Sequence, residues 1–600
     1  MNETTTDVRG ALDALLRRAI GEAIGAEYAA TDPMLRRSTH ADFQANCALA
    51  LQKATKRKPR EIAEQIVKAL TEGAVSADAK TMLARVDIAG PGFLNLQLEN
   101  TFLCRALAAQ LEDPRLGVKE SASPEVVVID YSSPNAAKEM HVGHLRSTVI
   151  GDALRRVLAF RGHRVVAQNH LGDWGTPFGM LIEHLLDADA GEESDASALT
   201  KFYKAARKKF DTDPTFAERA RARVVLLQAG DDATLKYWTQ LVDESRKYMA
   251  KTYARLGVLL EDKDIAGESK FNAELAPLAK ELEERGLAKM DEGALCMFPP
   301  GFQNREGNPM GLMVRKRDGG FGYGATDLAA LRHRIQNLRG TRILYVVGSP
   351  QAQHLSMVHR AGEMAGWVTP GVRAEHVQFG SVLGDDNKML KTRDGETVRL
   401  SSLLEEGEAR ARETIVEKRT KTAGPAKDQE EEAGEELFDE GDLDAVAHAI
   451  TIAAIKYADL SSDRIKDYTF EWSRMLADKG NTGVYLLYAT ARLRSIVRKG
   501  EETIDGSAIR IEAPAERALA LALVSFAEVL TDVETALEPH RLCTYLYELA
   551  SAVAAFYNQC QVLKAPDAAT RSSRLAQCEL SSRVLTRGLD LLGITALDRM

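Results

Sequence analysis

Over residues 8–24 the apolar positions recur at helical spacing, which predicts a helix. The pattern returns over 59–70, with Pro59 near the first turn, where its missing N–H is no loss. Between them, Ala41, Asp42, Phe43, Gln44, Ala45 and Asn46 are expected to begin another helical region. From Val86 to Leu98 the period drops to two around Gly90-Pro91-Gly92, the pattern of a strand pair joined by a tight turn. Residues 1–115 therefore read as a small α/β domain. Val126 to Asp130 is a β-branched run suited to a buried parallel strand. A polar turn follows, then helical periodicity over 145–158 and a second strand over 165–170. Residues 187–258 are polar and helical, with Lys201, Lys204, Lys208 and Lys209 on one stretch; a solvated helix face is the plainer explanation of these lysines. Alternation of strand and helix resumes over 258–400, with a loop entering a helix at 321–329 and an apolar strand at 343–347. From Asp444 to Met600 the pattern is almost continuous helix.

A chain of 600 residues holds several domains. Its net charge of −9 argues against a nucleic-acid partner until its distribution is considered. Asp428 to Asp444 carries ten acids and no Lys or Arg, so the rest of the chain is close to neutral and its basic patches are free to meet phosphates. Residues 426–444 are expected to form a flexible acidic loop, because such a composition buries too little apolar surface to offset ordering entropy. The six cysteines form no CxxC pair, so neither a zinc site nor a disulfide framework is expected, and a reducing cytoplasm fits. No apolar run has the length of a membrane span, and the first residues, MNETTTDVRG, lack the pattern of a secretion signal.

The chemistry concentrates after the first predicted parallel strand. His141-Val142-Gly143-His144 opens a helix, where free N–H groups and the helix dipole attract an anion. Two imidazoles there can donate to phosphate oxygens, and Gly143, without a Cβ, admits a flat ring close to the backbone. Asn169 to Thr176 packs Gly, Asp and Trp into the loop after the second strand, the usual place of a ligand crevice. Lys388 and Lys391 stand in a Gly- and Asp-rich loop at 385–395, a pattern that on its own is more often a solvated turn. Tyr485, Tyr488 and Arg492 share a helix face by their spacing; a core stripe and a base-stacking surface both fit.

Taken together, the motifs carry a resemblance. The run SPNAAKEMHVGHLRST resembles the HIGH motif of class I aminoacyl-tRNA synthetases, in the form seen in arginyl-tRNA synthetases. Asn169-His170-Leu171-Gly172-Asp173-Trp174-Gly175 matches that family's NHxGDWG segment, and Lys388-Met389-Leu390-Lys391-Thr392 is similar to its KMSKS loop, with Leu and Thr replacing the two serines. The segments around Asp42-Phe43-Gln44 and Gly90 to Asn95 resemble the N-terminal domain peculiar to the family. The resemblance implies an α/β fold: a Rossmann-like class I catalytic domain at 120–425 with a connective insertion at 187–258, an N-terminal domain that contacts the outer corner of tRNA near Phe93, Asn95 and Gln97, and an all-α anticodon-binding bundle at 445–600.

The resemblance further implies ATP-dependent ligation of L-arginine to tRNA(Arg). It places His141, Gly143, His144, Lys388 and Lys391 on ATP, with Mg²⁺ accompanying the nucleotide; His141, His144 and Lys391 carry the catalysis, with no resident metal site. Asp130, Asn135, Tyr323, Asp327 and Gln351 would hold arginine. Tyr485, Tyr488, Arg492, Tyr557 and Met600 would meet the tRNA, and Gln561 stands where some relatives have Trp. A monomer in the cytoplasm is expected. For Asp327 a plainer role is also open, that of a helix cap. Two other classes share parts of the pattern. A small-molecule nucleotidylyltransferase can carry HxGH but has no use for the tyrosine-bearing bundle. A catalytically dead tRNA-binding paralogue has no use for both histidines, Lys391 and the Tyr323/Asp327 pair.

Overall fold

The structure, a computed structural model, describes residues 6–187, 196–384, 386–391, 397–422 and 440–600. Most of the expected acidic loop, along with Thr392 and part of the insertion, lies outside the described residues. The described end of that loop is already helical: Asp444 sits in the first turn of Leu443–Leu460 and pairs with Arg412.

The N-terminal unit is a four-stranded antiparallel sheet, in the order Arg36–Arg37, Phe43–Ala45, Phe93–Leu98, Leu83–Ala89. Helices including Val8–Ile24 and Pro59–Glu72 pack with it. Residues 41–46 do not begin a helix. Phe43, Gln44 and Ala45 form a buried strand opposite Leu96, Asn95 and Leu94, and the helix starts only at Cys47. Gln44 accepts a hydrogen bond from Arg36 and donates one to Asn95, so cross-strand pairing outweighs the local propensity. On the strand Phe93–Leu98, Leu94, Leu96 and Leu98 are buried, which leaves Phe93, Asn95 and Gln97 on the opposite face.

Four parallel strands organise the middle of the chain, in the order Arg373–His376, Arg342–Tyr345, Val126–Asp130, Arg164–Gln168. The chain leaves Val126–Asp130 toward one side and returns on the other, so the crevice beyond Asp130 and Tyr345 is a topological switch point. The crossover helix Val142–Phe160 leans directly on the strand exit: a Cβ at Gly151 would stand 2.3 Å from Tyr131 Cβ. Helices Ala196–Thr212, Pro214–Ala229 and Asp232–Leu256 form the insertion. Lys201, Lys204 and Lys208 are exposed on the first of them.

The C-terminal part is not continuous helix. Between Leu443–Leu460 and Gly483–Gly500 the chain contributes a two-residue strand, Tyr468–Thr469, which pairs in parallel with Val382–Leu383 at the entry to the lysine-bearing loop. The bundle then continues through Pro514–Leu523, Phe526–Ala536, His540–Gln559 and Ala568–Leu591. No helix among the described residues is long and apolar enough to cross a membrane.

Gly151→Ala tests the contact between helix and strand. The added methyl meets a buried tyrosine that has no room to retreat, so the substitution is expected to cost about 1–3 kcal/mol, read as a lower urea midpoint. An unchanged midpoint would show that the helix can shift at no cost.

Candidate active site

His141 is the N-cap of Val142–Phe160. Its Nδ1 accepts the N–H of Gly143 at 3.1 Å, and the Nδ1 of His144 accepts the N–H of His141 at 3.1 Å. A neutral imidazole that accepts at Nδ1 carries its proton at Nε2, so both rings keep an Nε2–H free of these two bonds. Burial, with the charge of nearby Lys138, lowers the pKa of His141; burial, with His141 and Lys138 close by, pushes that of His144 down to about 3. The rings lie 3.9 Å apart. A Cβ at Gly143 would fall 2.8 Å from His141 Cε1, so this glycine makes room for the folded-back ring.

Backbone hydrogen bonds bring the lysine loop to the histidines. Val142 N donates to Val398 O and Leu400 N to Met140 O, each at 3.0 Å, with His141 bridged to Arg399. Arg399 also pairs with Glu139 at 3.1 Å. On the entry side Leu390 N bonds Val382 O, and Lys391 bridges Thr397. Lys388 and Lys391 are both exposed on this hairpin.

A cavity of about 610 Å³ opens beside the switch point, lined among others by Trp174, Glu268, Tyr323, Gln353 and His354. Tyr323 is the first residue of the helix Tyr323–Gln336, and Gly322 is its N-cap. Asp327 therefore does not cap the helix; its Oδ2 lies 2.6 Å from His354 Nε2, and the contact raises the pKa of the imidazole. Glu268, which no local pattern in the sequence marks, comes from the short turn Glu268–Phe271 that follows the insertion. Its N–H bonds Leu171 O, and burial beside Asp173 and Asp327 pushes its pKa up to about 8. Gly267 makes room for the Asp173 carboxylate, which accepts from Ser269 N and Oγ at 2.9 and 2.7 Å. Asp130 is 5% exposed and already engaged, by Arg334 Nη2 at 2.8 Å and Ser133 Oγ at 2.8 Å. Asn135 lies against Gly172, whose missing Cβ leaves space for its amide. Gln351 is exposed at the end of a short turn and is not part of the cavity wall, where Gln353 stands instead.

A second cavity, of about 310 Å³, lies in the bundle. It brings together Tyr485, Tyr488, Arg492 and Tyr557, with Arg492 5.9 Å from the Tyr557 ring. Lys418 reaches in from the helix Leu400–Thr422, donating to Asp478 at 2.5 Å and to Tyr488 Oη at 3.0 Å. Met600 is outside this wall, 7% exposed in the main core.

Residues 106–472 match the family described as tRNA synthetases class I (R), catalytic domain; residues 10–98 match the arginyl tRNA synthetase N-terminal domain, and 486–600 the DALR anticodon binding domain. The chain belongs to the arginyl-tRNA synthetases. Similar curated proteins are the arginine–tRNA ligases of Thermobifida fusca, 48% identical over 98% of both chains, and of Frankia casuarinae, 49% identical over 98% of this chain and 97% of that one. Among solved structures, arginyl-tRNA synthetase from Plasmodium falciparum superposes with a TM-score of 0.82 at 26% identity, covering 99% of each chain. The Thermus thermophilus synthetase shares the fold, with a TM-score of 0.79 over 99% of this chain and 100% of that one, at 24% identity. The class I synthetase fold is thus an α/β catalytic domain joined to a helical C-terminal domain.

The tautomer assignment is directly measurable. Imidazole NMR should find His144 neutral, with its proton on Nε2, from about pH 8 down to about pH 4. Between its ordinary 6.5 and about 3 the unfolded chain binds a proton here that the folded chain does not, so this group lowers stability as the pH falls through that window. A His144 titration near 6.5 would contradict the assignment.

Proposed function

We infer the following division of labour for an enzyme that ligates L-arginine to tRNA. The arginine carboxylate attacks the α-phosphorus of ATP, giving arginyl-adenylate and pyrophosphate. The 3′-terminal adenosine of tRNA(Arg) then takes the arginyl group and AMP leaves. No side chain forms a covalent intermediate, so the protein contributes position and charge. The Nε2–H groups of His141 and His144 are directed to phosphate oxygens beside Gly143, and Lys388 and Lys391 to the departing pyrophosphate. ATP enters with Mg²⁺ as part of the substrate. Among the described residues no group of three His, Cys, Asp or Glu could hold a metal ion, and Mg²⁺ is commonly bound through substrate phosphates and water.

The observation that supports the arginine assignment is Glu268 in the cavity wall beside Tyr323, with Asp327 bonded to His354, another residue of that wall. A guanidinium is planar, always charged and rich in donors. Two carboxylates match it, and a ligand without the fork leaves buried acceptors unpaired. Asp130, Asn135 and Gln351 belong to the proposed set from outside that cavity wall, Asp130 at the end of a sheet strand and the other two in loops that follow one. The bundle cavity receives anticodon bases, which stack on Tyr485, Tyr488 and Tyr557 while Arg492 meets phosphate. Met600, being buried, takes a packing role there. The sheet face bearing Phe93, Asn95 and Gln97 meets the outer corner of the tRNA. The enzyme works as a monomer in the cytoplasm on this reading.

Charging assays with Glu268→Gln and Asp327→Asn test this reading. Each is expected to raise the arginine KM at least about tenfold, a loss of ~1.4 kcal/mol, with the ATP KM little changed. In the parent, Glu268 is protonated below about pH 8 and must lose its proton to meet the cation. The arginine KM therefore rises as the pH falls below that value, and Glu268→Gln removes this dependence. Unchanged KM values in both variants would place the specificity site elsewhere.

A further inference from the structure

Arg146 lies two residues after His144 on the same helix, yet its side chain is 1% exposed and turned away from the phosphate site. Every partner it has comes from elsewhere in the chain. Its Nε lies 3.3 Å from Asp459 Oδ2, at the end of Leu443–Leu460. Its Nη1 donates to Lys466 O at 2.9 Å. The guanidinium carbon stands 5.2 Å from the Tyr468 ring and 5.8 Å from that of Phe379. These groups frame the entry to the lysine loop. Tyr468–Thr469 pairs with Val382–Leu383, Tyr468 N bonds Ser381 O, and Phe470 N bonds Leu383 O. From there Leu390 N reaches Val382 O, one residue before Lys391.

We propose that Arg146 is a positioning residue of adenylate formation, fixing the helix that carries His141 and His144 to the entry stem of the loop that carries Lys388 and Lys391. The exit of that loop is held to the start of the same helix by the pairing of Met140 and Val142 with Leu400 and Val398. Arg146 supplies the matching hold at the entry, so histidines and lysines are set on one frame. The proposal rests on the assignment of both groups to ATP. Chemistry explains the choice of arginine. A buried ion pair is a poor way to gain stability, since apolar residues of similar volume often do as well or better. A planar guanidinium, however, can serve a carboxylate, a carbonyl and two ring faces at once, and a lysine cannot.

The test is a double-mutant cycle on Arg146→Lys and Lys391→Ala, read as arginine-dependent pyrophosphate exchange in the presence of tRNA. Arg146→Lys keeps the charge and is expected to fold, with thermal unfolding as the check. Its kcat should fall at least about tenfold while the arginine KM stays within about twofold. Lys391→Ala should also be slow. Combined, the two should cost little more than the larger single effect, because each disables the same loop. If Arg146→Lys does not fold, the pair Arg146→Gln with Asp459→Asn removes both buried charges together and enters the cycle in its place. The proposal is overturned if the variant turns over at the parent rate, if the losses multiply independently, or if the loss equals the unfolded fraction. A slow Lys391→Ala with independent losses sinks the role of Arg146 alone; a Lys391→Ala at parent rate sinks the reading of the loop and the proposal with it.

Discussion

Two backbone hydrogen bonds, Val142 N to Val398 O and Leu400 N to Met140 O, determine what this site can do. They join segments more than two hundred positions apart and set the HxGH turn beside the exit of the lysine loop. Without them the turn would be an ordinary helix start and the loop an ordinary surface hairpin. With them, two imidazoles that carry their protons at Nε2 stand beside the exit of the loop that bears Lys388 and Lys391. The helix N-terminus adds its own partial positive charge. Because the imidazoles are neutral, they donate without adding charge repulsion to the lysines.

On the other side of the switch point the electrostatics are reversed. Glu268 lines the cavity with Asp173 and Asp327 close to it, and burial, together with those two charges, raises its pKa. Asp173 is satisfied by Ser269 and Asp327 by His354, which leaves Glu268 as the acid with most to gain from a cation. Beneath them Arg334, 1% exposed, neutralises Asp130 from within the fold. The proposed phosphate and guanidinium sites thus rest on two separate features around one parallel sheet, the imidazole donors of the HxGH turn and the carboxyl of Glu268 in the cavity wall.

Much of this was legible in the chain where the signal is local. The β-branched run Val126–Asp130, the HVGH turn at a helix start and the i, i+3, i+7 stripe of Tyr485, Tyr488 and Arg492 each depend on neighbours within a few residues, and each stands where periodicity put it. The misses are all long-range. Phe43–Ala45 became a strand because of partners some fifty residues away. Glu268 is one acid among 87 and acquires its character only where the chain after the insertion returns beside the NHLGDWG loop. The alternative that Asp327 caps its helix stayed open because the first residue of a helix is not fixed by sequence to within a turn. The burial of Asp130 and Met600 likewise depends on packing that no local pattern reveals.

The central claim is that the neutral His144 donor acts on ATP and not on tRNA or arginine. Rapid-quench measurement of arginyl-adenylate formation by His144→Ala, with tRNA present, tests it most directly. Loss of one preorganised donor typically costs ~10²–10³ in rate. The account predicts a loss of that order with tRNA affinity and arginine KM close to those of the parent. Adenylate formation at the parent rate, or a loss confined to tRNA binding, would contradict it.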